Sequence, residues 1–439
     1  MKKVIAIVGP TGVGKSDISL RLAKQFNNEI ISGDSVQVYK KLDIGSAKLL
    51  DTQWVTHHLI DILEPNEEYS VCDFQNIVRS KIEEIDRPLI VGGTGLYVKA
   101  ALYNYEFDGN KRDFEFEKQY DNVDNEKIYD ELMQIEPNSK VDKNNRNRLL
   151  RALMMAKMDM PLSSRNKKDE PLYDDLIITL NADRDVIYDR INRRVLKMID
   201  EGLVSEVKGL LEQNIRVKAI GYSEIYEYLD GKISLEEAIS LIQKNTRHYA
   251  KRQLTWFKNQ MNTVEIDAFD NAYDKISSLV DSFYKTEVRK ADISDLDEIK
   301  SLLKDVLENM RSNNEDYWNE LYPKIEDFKN DILNGDGLVI TYLGKVAGYI
   351  KSSTNNDLGI DNIGDYYLGR LMVSPHIRKS FLATILFNYC FRRFKGKYVM
   401  LVDKKNLKAQ AFYDKIGFVK KGLVKQYNKD MYIITRDVK

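Results

Sequence analysis

Length, composition and charge set the first limits on this protein. The chain has 439 residues, of which 43% are hydrophobic and 31% charged. This length predicts two or three domains, and the composition is typical of a soluble globular protein with sizeable cores. The formal net charge of −1 gives no global sign of nucleic-acid binding, so any basic binding surface has to be local.

The cysteines and the N-terminus predict a cellular location. Cys72 and Cys390 lie far apart in the sequence, which argues against a disulfide framework or a zinc site and fits a reducing cytoplasm. The N-terminus leads directly into a predicted strand, so we expect no signal peptide, and no apolar run approaches the length of a membrane span. We therefore expect a cytoplasmic protein that does not enter a membrane.

The first sixteen residues contain a phosphate-binding motif. Residues 3–8 (KVIAIV) predict a buried parallel strand, and residues 9–16 (GPTGVGKS) fit the P-loop pattern G-x-x-x-x-G-K-S. In such a loop, glycines let backbone N–H groups turn toward an anion at the start of a helix. Lys15 can reach a terminal phosphate, and the Ser16 hydroxyl can hold a magnesium ion. The predicted phosphate-binding residues are Gly9, Pro10, Thr11, Gly12, Val13, Gly14, Lys15 and Ser16.

Asp34 is the candidate general base. Residues 29–35 predict a second short strand, and Asp34 lies at its carboxyl end. In an open α/β sheet this edge is where ligands bind. Ser35 and Gln37 are the polar neighbours of Asp34. The alternative interpretation is that Asp34 caps a helix or a turn.

A glycine-rich loop follows the strand predicted at residues 87–91. Many P-loop NTPases carry an acidic residue at this point for magnesium and water, whereas here the strand runs into Gly92, Gly93 and Thr94. ATP hydrolysis is therefore poorly supported. The small residues favour close approach of a ligand to the backbone instead.

Two predicted helices carry rows of basic residues. In the helix that begins near residue 144, Arg148 and Arg151 lie one turn apart on one face, which suits phosphate contacts. A solvated helix face is the alternative. The helix predicted over residues 235–261 interleaves aromatic residues with basic ones, a pattern that fits an RNA backbone and an unstacked base. Its basic residues are Lys244, Arg247, Lys251, Arg252 and Lys258.

Within the second of these helices the side chains are expected to divide between two roles. We expect Arg247 and Arg252 to reach phosphates. We expect Trp256 and Phe257 to be core residues, because large rings in a helix most often pack inward.

Six motifs follow one another along residues 1–270. They are GPTGVGKS, EIISGDSVQVYKKLDIGSAK, HHLIDI, VGGTGLYVKAAL, AIGYSEIYEYLDG and NTRHYAKRQLTWFKNQ. This ordered set resembles the bacterial tRNA dimethylallyltransferase family. The resemblance implies a domain over residues 1–284 with a P-loop NTPase-like parallel α/β sheet, a helical insertion at about residues 106–140 and a helical tRNA-binding part.

The resemblance also implies a reaction. The family transfers a dimethylallyl group from dimethylallyl diphosphate to N6 of the adenine on the 3′ side of a tRNA anticodon, with Mg²⁺ as cofactor. Asp34 would accept the proton of the amine, and Thr94 would contact the nucleotide or the diphosphate. A monomer that binds the anticodon stem-loop is expected. The implied tRNA-binding residues are Asp34, Ser35, Val36, Gln37, Thr94, Asn147, Arg148, Arg151, Arg247 and Arg252.

The sequence departs from the family pattern at three places. The family more often has an aspartate where Asn145 stands and a glutamate where Met154 stands. The loop at residues 213–218 is shorter than is usual in the family, so part of an RNA-contacting segment is trimmed.

The chain continues beyond this resemblance with a different pattern. A linker is predicted near residues 283–286, followed by alternating strands and helices. Residues 406–418 (NLKAQAFYDKIGF) resemble the closing signature of GNAT-type acyltransferases, which implies an α+β domain over residues 286–439 that uses acetyl-CoA. The residues implied at the acyl-CoA site are Arg378, Ala383, Asn406 and Tyr413. Tyr413 would be the general acid.

One GNAT motif is altered. Where such domains have R-x-x-G-x-G/A to hold the pyrophosphate of the cofactor, this chain has residues 378–383 (RKSFLA). Phe381 replaces the glycine that lets the backbone approach phosphate. The domain is therefore either an acetyltransferase with a looser phosphate loop or a degenerate domain kept for RNA or protein contacts.

Three alternatives to alkyl transfer onto tRNA stay open at this point. An isopentenyltransferase for free adenine nucleotides would share the donor site, but it would not need the insertion or the basic helix. A small-molecule P-loop kinase would explain the first motif and leave the Gly-Gly-Thr loop unexplained. A non-catalytic RNA-binding protein is the third.

Overall fold

The described residues of the chain form two β-sheets. The computed structural model describes residues 1–49, 52, 54–105, 107, 113–158, 170–318, 322–377, 381–426 and 428–438. The first sheet has six parallel strands in the order β3-β2-β4-β1-β5-β6. Its strands are β1 (Lys3–Val8), β2 (Glu29–Ser32), β3 (His57–His58), β4 (Pro88–Gly92), β5 (Asp174–Asn181) and β6 (Val264–Asp267). The predicted parallel α/β sheet is confirmed.

Helices surround this sheet and connect its strands. They are α1 (Lys15–Phe26), α2 (Val71–Glu84), α3 (Gly95–Leu102), α4 (Phe114–Lys118), α5 (Asn125–Ile135), α6 (Arg146–Lys157), α7 (Arg184–Asp200), α8 (Leu203–Glu212), α9 (Tyr222–Leu229), α10 (Leu235–Gln260) and α11 (Ala272–Lys285). Gly202 separates α7 from α8, because this residue adopts φ 104°, which glycine tolerates best.

Both faces of the first sheet are buried. On β1, Ile5 and Ile7 join one apolar cluster with residues of α1 and α11. Val4, Ala6 and Val8 join another with residues of α2, α3 and α10. Alternate side chains of a strand point to opposite faces, so this near-continuous apolar run is what a strand covered on both sides requires. The central strand therefore presents its C-terminal loop at a fixed edge.

The second sheet has seven strands in the order β12-β13-β11-β10-β9-β8-β7. They are β7 (Thr286–Lys290), β8 (Gly337–Tyr342), β9 (Lys345–Ser353), β10 (Tyr366–Val373), β11 (Gly396–Asp403), β12 (Val419–Gln426) and β13 (Lys429–Val438). Neighbouring strands are antiparallel except β10 and β11, which are parallel. The helices of this half are α12 (Leu296–Ser312), α13 (Ile325–Leu333), α14 (Leu382–Arg393) and α15 (Leu407–Lys415). This is the mixed α+β arrangement that the sequence predicts.

The predicted linker at residues 283–286 is wrong. Helix α11 runs to Lys285 and strand β7 begins at the next residue, so no connecting segment separates the two halves. Phe283 and Thr286 are buried, and the ammonium group of Lys3 donates hydrogen bonds to both of their carbonyl oxygens. The apolar face of α11 continues to its last turn and packs into a core that includes residues of both halves.

Polar contacts also join the two sheets. Arg392 at the end of α14 forms an ion pair with Asp175 in β5, and its Nε donates to the Tyr103 hydroxyl at 3.2 Å. Nearby, the Asn262 amide donates to the Phe391 carbonyl at 2.9 Å. These contacts lie at the start of β5, opposite the edge that carries the P-loop. The two halves are thus packed together at the amino end of the first sheet.

Candidate functional site

The P-loop lies between β1 and α1 and is shaped by two of its glycines. Gly9 adopts φ 144°, and a Cβ there would meet the Leu180 carbonyl oxygen at 2.5 Å. Gly14 caps α1 with φ 101° in the left-handed region. A larger residue at Gly9 would force the loop away from β5, and one at Gly14 would strain the backbone at the start of α1. The loop therefore directs the first N–H groups of α1 to the carboxyl edge of the sheet, the arrangement that binds phosphate.

Lys15 is folded back over its own loop. Its Nζ donates to the carbonyl oxygens of Gly9 at 3.0 Å and Pro10 at 2.8 Å. Burial and the nearby Arg194 lower the pKa of Lys15, Asp34 acts in the opposite direction, and the result is a pKa of about 8. The ammonium group is thus held at the loop with no ion-pair partner within 4 Å among the described residues, which suits a site that binds an anion.

Two arginines of α7 that the sequence analysis did not single out lie against this loop. Arg194 donates to the Thr11 hydroxyl at 3.4 Å, and Arg190 donates through Nε to the Gly12 carbonyl at 2.7 Å. Burial lowers the pKa of Arg194, and Asp34 raises it. The signal in the sequence is their spacing of one helical turn, but nothing in it says that α7 packs beside the P-loop.

Asp34 follows β2 at the same edge and is held by its own turn. Its Oδ1 accepts the N–H of Val36 at 2.8 Å and that of Gln37 at 3.4 Å. Asp34 therefore caps its own turn through Oδ1, as the alternative interpretation predicts. Because Oδ1 is held, the direction of Oδ2 is fixed as well. Gln37 accepts a hydrogen bond from the Ser32 hydroxyl at 3.1 Å, which orders the polar neighbours of the carboxylate.

The Gly-Gly-Thr loop completes the edge. A Cβ on Gly92 would collide with the backbone of Gly33, and one on Gly95 would collide with the ring of Trp256. Thr94 at the start of α3 is hydrogen-bonded to the Tyr249 hydroxyl, whose pKa is raised by burial and by Asp34. The structure thus brings together the predicted residues Lys15, Asp34 and Thr94, which come from three separate strand ends.

The basic residues of α10 divide into exposed and bound ones. Arg252 is exposed and lines a shallow depression with Lys251 and Trp256. Arg247 is half-buried and donates to the Asn192 side chain of α7 at 2.6 Å. Arg252 therefore fits the predicted phosphate contact, whereas Arg247 already ties two helices together. The prediction that Phe257 is a core residue is confirmed, since it is 1% exposed.

The basic residues of α6 lie at the start of that helix. Asn147 and Arg148 are exposed, and Arg151 is half-buried. Asn145 caps the helix by accepting the N–H of Arg148 at 3.3 Å. The departure from the family's aspartate at this position thus keeps the cap.

A carboxylate outside the sequence prediction holds the loop after Asp34. Glu206 in α8 accepts the N–H groups of Asp43 at 3.0 Å, Ile44 at 2.7 Å and Gly45 at 3.1 Å. The Tyr222 hydroxyl donates to the same carboxylate at 2.7 Å. Glu206 therefore joins two of the sequence motifs, one containing residues 43–45 and the other Tyr222.

The second sheet contains a cavity of about 370 Å³. Strands β10 and β11 pair only at their beginning, up to Tyr367 and Val399, and then separate. Asn406 and Tyr413 line the cavity that opens between them. Asn406 caps α15 by accepting the N–H of Ala409 at 2.9 Å.

The structure describes two of the remaining predicted acyl-CoA residues, Tyr413 and Ala383, and also Phe381 in the altered motif. Burial raises the pKa of Tyr413, which keeps its hydroxyl protonated. Ala383 lies in the first turn of α14. Arg378 lies outside the described residues. Phe381 caps α14 with φ 48°, the conformation that the glycine of the usual motif adopts readily.

No group of three or more His, Cys, Asp or Glu side chains that could hold a metal ion occurs among the described residues. In the same part of the chain, no helix is both long and apolar enough to cross a membrane.

Comparison with family models gives three matches. The IPP transferase model matches residues 37–260, and the isopentenyl transferase model matches residues 2–58. The model of the acetyltransferase (GNAT) family matches residues 300–418. The IPP transferase model covers half of the chain, and the GNAT model covers strands β8–β11 of the second sheet.

Relatives and solved structures agree with these matches. The chain is 46% identical over 283 residues to a tRNA dimethylallyltransferase of Bacillus licheniformis, covering 60% of this chain and 90% of that protein. It is 41% identical to the crystal structure of a tRNA isopentenylpyrophosphate transferase from Bacillus halodurans, with a TM-score of 0.51 over 64% of this chain and 97% of that one. A eukaryotic dimethylallyltransferase acting on tRNA is 25% identical, with a TM-score of 0.55 over 94% of this chain and 99% of that one.

Proposed function

Because this chain belongs to the IPP transferase family, we propose that it transfers a dimethylallyl group from dimethylallyl diphosphate to N6 of the adenine on the 3′ side of a tRNA anticodon. One observation carries the proposal. Lys15, Asp34 and Thr94 meet at one edge of the parallel sheet, beneath the helix that presents Arg252. A phosphate site, a base and a nucleic-acid surface are thus adjacent.

Two cationic side chains at the P-loop stabilise the diphosphate leaving group. As the bond between the allylic carbon and the diphosphate oxygen breaks, negative charge grows on the diphosphate. Lys15 and Arg194 lie where they can neutralise it, and the N–H groups at the start of α1 add to their effect. The allylic carbon carries the positive charge itself, so these residues need only hold the donor and stabilise diphosphate.

The residues at this edge also fit a magnesium ion. Mg²⁺ is usually bound by one or two protein oxygens together with water and substrate phosphates, and the exposed Ser16 at the start of α1 carries such an oxygen. When bound, the ion would neutralise further charge on the diphosphate.

Asp34 accepts the proton that the adenine amine loses. Its Oδ1 is engaged with the turn, so the carboxylate presents its second oxygen in a fixed direction. Thr94, held by Tyr249, contacts the adenine or the donor. The adenine has to leave its stack to reach this edge, as in other enzymes that modify a base.

The tRNA is held by the basic faces of α6 and α10. Asn147, Arg148 and Arg252 are exposed and contact phosphates of the anticodon stem-loop, and Arg151 and Arg247 support them from half-buried positions. Ser35, Val36 and Gln37 lie in the turn beside Asp34 and face the nucleotide. Function as a cytoplasmic monomer stays a prediction.

We further propose that the domain built on the second sheet transfers an acetyl group from acetyl-CoA. The gap between β10 and β11 supplies the cavity, and Asn406 and Tyr413 line it. Ala383 opens the helix whose N-terminus would face the pyrophosphate, with Arg378 preceding it. Tyr413 would protonate the leaving thiolate, since its raised pKa keeps the proton on its hydroxyl. The domain division at residues 284–286 is part of this proposal.

The test is a transfer assay with the purified chain. Radiolabelled dimethylallyl diphosphate and magnesium are incubated with unmodified tRNA, and parallel reactions contain AMP or ATP as acceptor. Label in tRNA that is lost in Asp34→Asn, with tRNA affinity kept, supports the proposal. Label in AMP or ATP instead would favour the nucleotide isopentenyltransferase, and phosphate transfer from ATP would favour a kinase.

A further inference from the structure

Gln253 joins the two loops that form the edge of the sheet. This residue of α10 is 6% exposed. Its Oε1 accepts the N–H of Thr11 at 2.9 Å, and its Nε2 donates to the Gly93 carbonyl at 3.0 Å. One side-chain amide therefore satisfies a donor in the P-loop and an acceptor in the loop that carries Thr94. Leaving buried groups of this kind unpaired is unfavourable, because each has lost its hydrogen bonds to water.

The surroundings leave Gln253 little freedom. A Cβ on Gly93 would collide with its Nε2, so the glycine is what lets the amide reach the loop. The Tyr249 hydroxyl, one helical turn earlier, is hydrogen-bonded to both Gln253 and Thr94. The next residue, Arg252, is exposed on the surface of α10. The helix that presents the basic surface is thus fastened to both loops at the same point.

We propose that Gln253 is a positioning residue that couples the placement of α10 to the geometry of the diphosphate site and of Thr94. It acts through Thr11 and Gly93 and does not touch the substrates. This inference rests on the proposed function for the identity of the two ligands. Its consequence is that a change in this one amide alters diphosphate binding even when tRNA is absent.

The hydrogen-bond pattern of the amide allows a sharp test. In Gln253→Glu, a protonated carboxyl keeps one acceptor for Thr11 and one donor for Gly93, whereas the ionised form offers two acceptors and repels the Gly93 carbonyl. Gln253→Met has a similar length and neither group. Charged or titratable residues on the elements packed around this position include Lys15, Asp34, Tyr97, Arg190, Arg194, His248, Tyr249, Lys251 and Arg252. These residues are unchanged in the variants. Dividing the diphosphate affinity of each variant by that of wild type at the same pH therefore removes the effect of their titration.

Calorimetry with inorganic diphosphate and magnesium is the first measurement, between pH 6 and pH 8.5. We expect Gln253→Met to bind about tenfold more weakly at every pH, the equivalent of one lost hydrogen bond. Gln253→Glu should be weaker still at pH 8.5 and should approach wild type as the pH falls. Gln134→Glu, an exposed change of the same kind in α5, should follow wild type. The proposal would be overturned if the affinity of Gln253→Glu for diphosphate, divided by that of wild type, did not change with pH. Wild-type affinity in Gln253→Met would overturn it too.

Transfer to tRNA is the second measurement, and it separates this inference from the proposed function. We expect the ratio of kcat/KM for Gln253→Glu to that of wild type to rise as the pH falls, with circular dichroism checking that each variant is folded. If wild type does not alkylate tRNA but the diphosphate affinities change as stated, the proposed function is wrong and the positioning role stands. If wild type is active and the ratio stays flat, the positioning role is wrong.

Discussion

Arg392 and Asp175 form an ion pair that is closed off from solvent between the two sheets. Arg392 is 1% exposed and Asp175 is 2% exposed. Burial raises the pKa of Asp175 to about 6, while the arginine acts to lower it. The arginine also donates to the Tyr103 hydroxyl. Because a buried charge needs its partner, this pair makes the packing of the second sheet part of the stability of the first.

Removal of the arginine should destabilise the chain. We expect Arg392→Met to lower the free energy of unfolding by about 3–5 kcal/mol, since it leaves the Asp175 carboxyl buried and unpaired. The double variant Arg392→Met with Asp175→Leu should recover part of the loss, because neither charge then remains. Denaturant unfolding of the three proteins measures this, and a double variant no more stable than Arg392→Met would argue against the ion pair as the cause.

The same variant should have a distinct pH dependence. A carboxyl whose pKa is raised on folding binds more protons in the folded state, so its contribution to stability falls as the pH rises from about 4, the ordinary aspartate value, through 6. Without Arg392 the pKa of Asp175 should rise further. The loss of stability relative to wild type should therefore be larger at pH 7.5 than at pH 5.

Lys15 should give diphosphate binding an alkaline limit. Its pKa is lowered to about 8, so the ammonium group loses its proton as the pH rises above that value and its attraction for diphosphate weakens. We expect the affinity of the chain for inorganic diphosphate to fall between pH 8 and pH 9.5, and Lys15→Ala to bind weakly with a smaller slope over that range. Titration calorimetry provides the comparison. A slope in Lys15→Ala equal to that of wild type would assign the limit to another group.

Arg194 offers a prediction with a control on the same helix. We expect Arg194→Ala to reduce kcat/KM for dimethylallyl diphosphate about 100-fold, the size of effect seen when one donor to a developing negative charge is removed. The neighbouring Arg193 is exposed and paired with Asp189 on the surface of α7, so Arg193→Ala should change kcat/KM less than twofold. Equal losses in both variants would mean that α7 as a whole, and not Arg194, matters.

The salt dependence of tRNA binding tests the surface of α10. Each phosphate contact releases counterions, so Arg252→Ala should reduce the slope of log K against log salt by about 0.7–0.9 and weaken binding at low salt. The control is Lys275→Ala in α11, which removes a cation that is paired with Asp270. Its slope of log K against log salt should equal that of wild type. A slope for Arg252→Ala equal to that of wild type would remove this residue from the phosphate contacts.

The sequence predicts those parts of the site that are local in the chain. The P-loop, the turn at Asp34 and the Gly-Gly-Thr loop each follow a predicted strand, and parallel strands place their ends at one edge. Arg194 and Gln253 were not predicted, because their roles depend on packing between elements about 180 and 240 residues away from Thr11. The pattern of α7 and α10 shows which face is apolar, but it does not show which loop that face meets.

The second sheet illustrates the same limit. Its strands and the GNAT-type signature are evident from the sequence, whereas the missing linker is not. The last turn of α11 is apolar because it packs into a core with residues of both halves. The sequence shows the change of pattern at this place, but it does not show that α11 ends at Lys285 and β7 begins at the next residue.

Phe381 provides the last prediction. Its φ of 48° costs a residue with a Cβ about 1–2 kcal/mol, so the backbone at the start of α14 keeps the conformation of the usual glycine while the ring occupies space beside it. We expect Phe381→Gly to bind acetyl-CoA about tenfold more tightly, because the backbone can then approach the pyrophosphate without the ring. Calorimetry with the full chain measures the affinity, and Tyr413→Phe should match wild type in binding, since its hydroxyl acts in transfer. If Phe381→Gly binds acetyl-CoA no better than wild type, the ring is not what limits the phosphate loop.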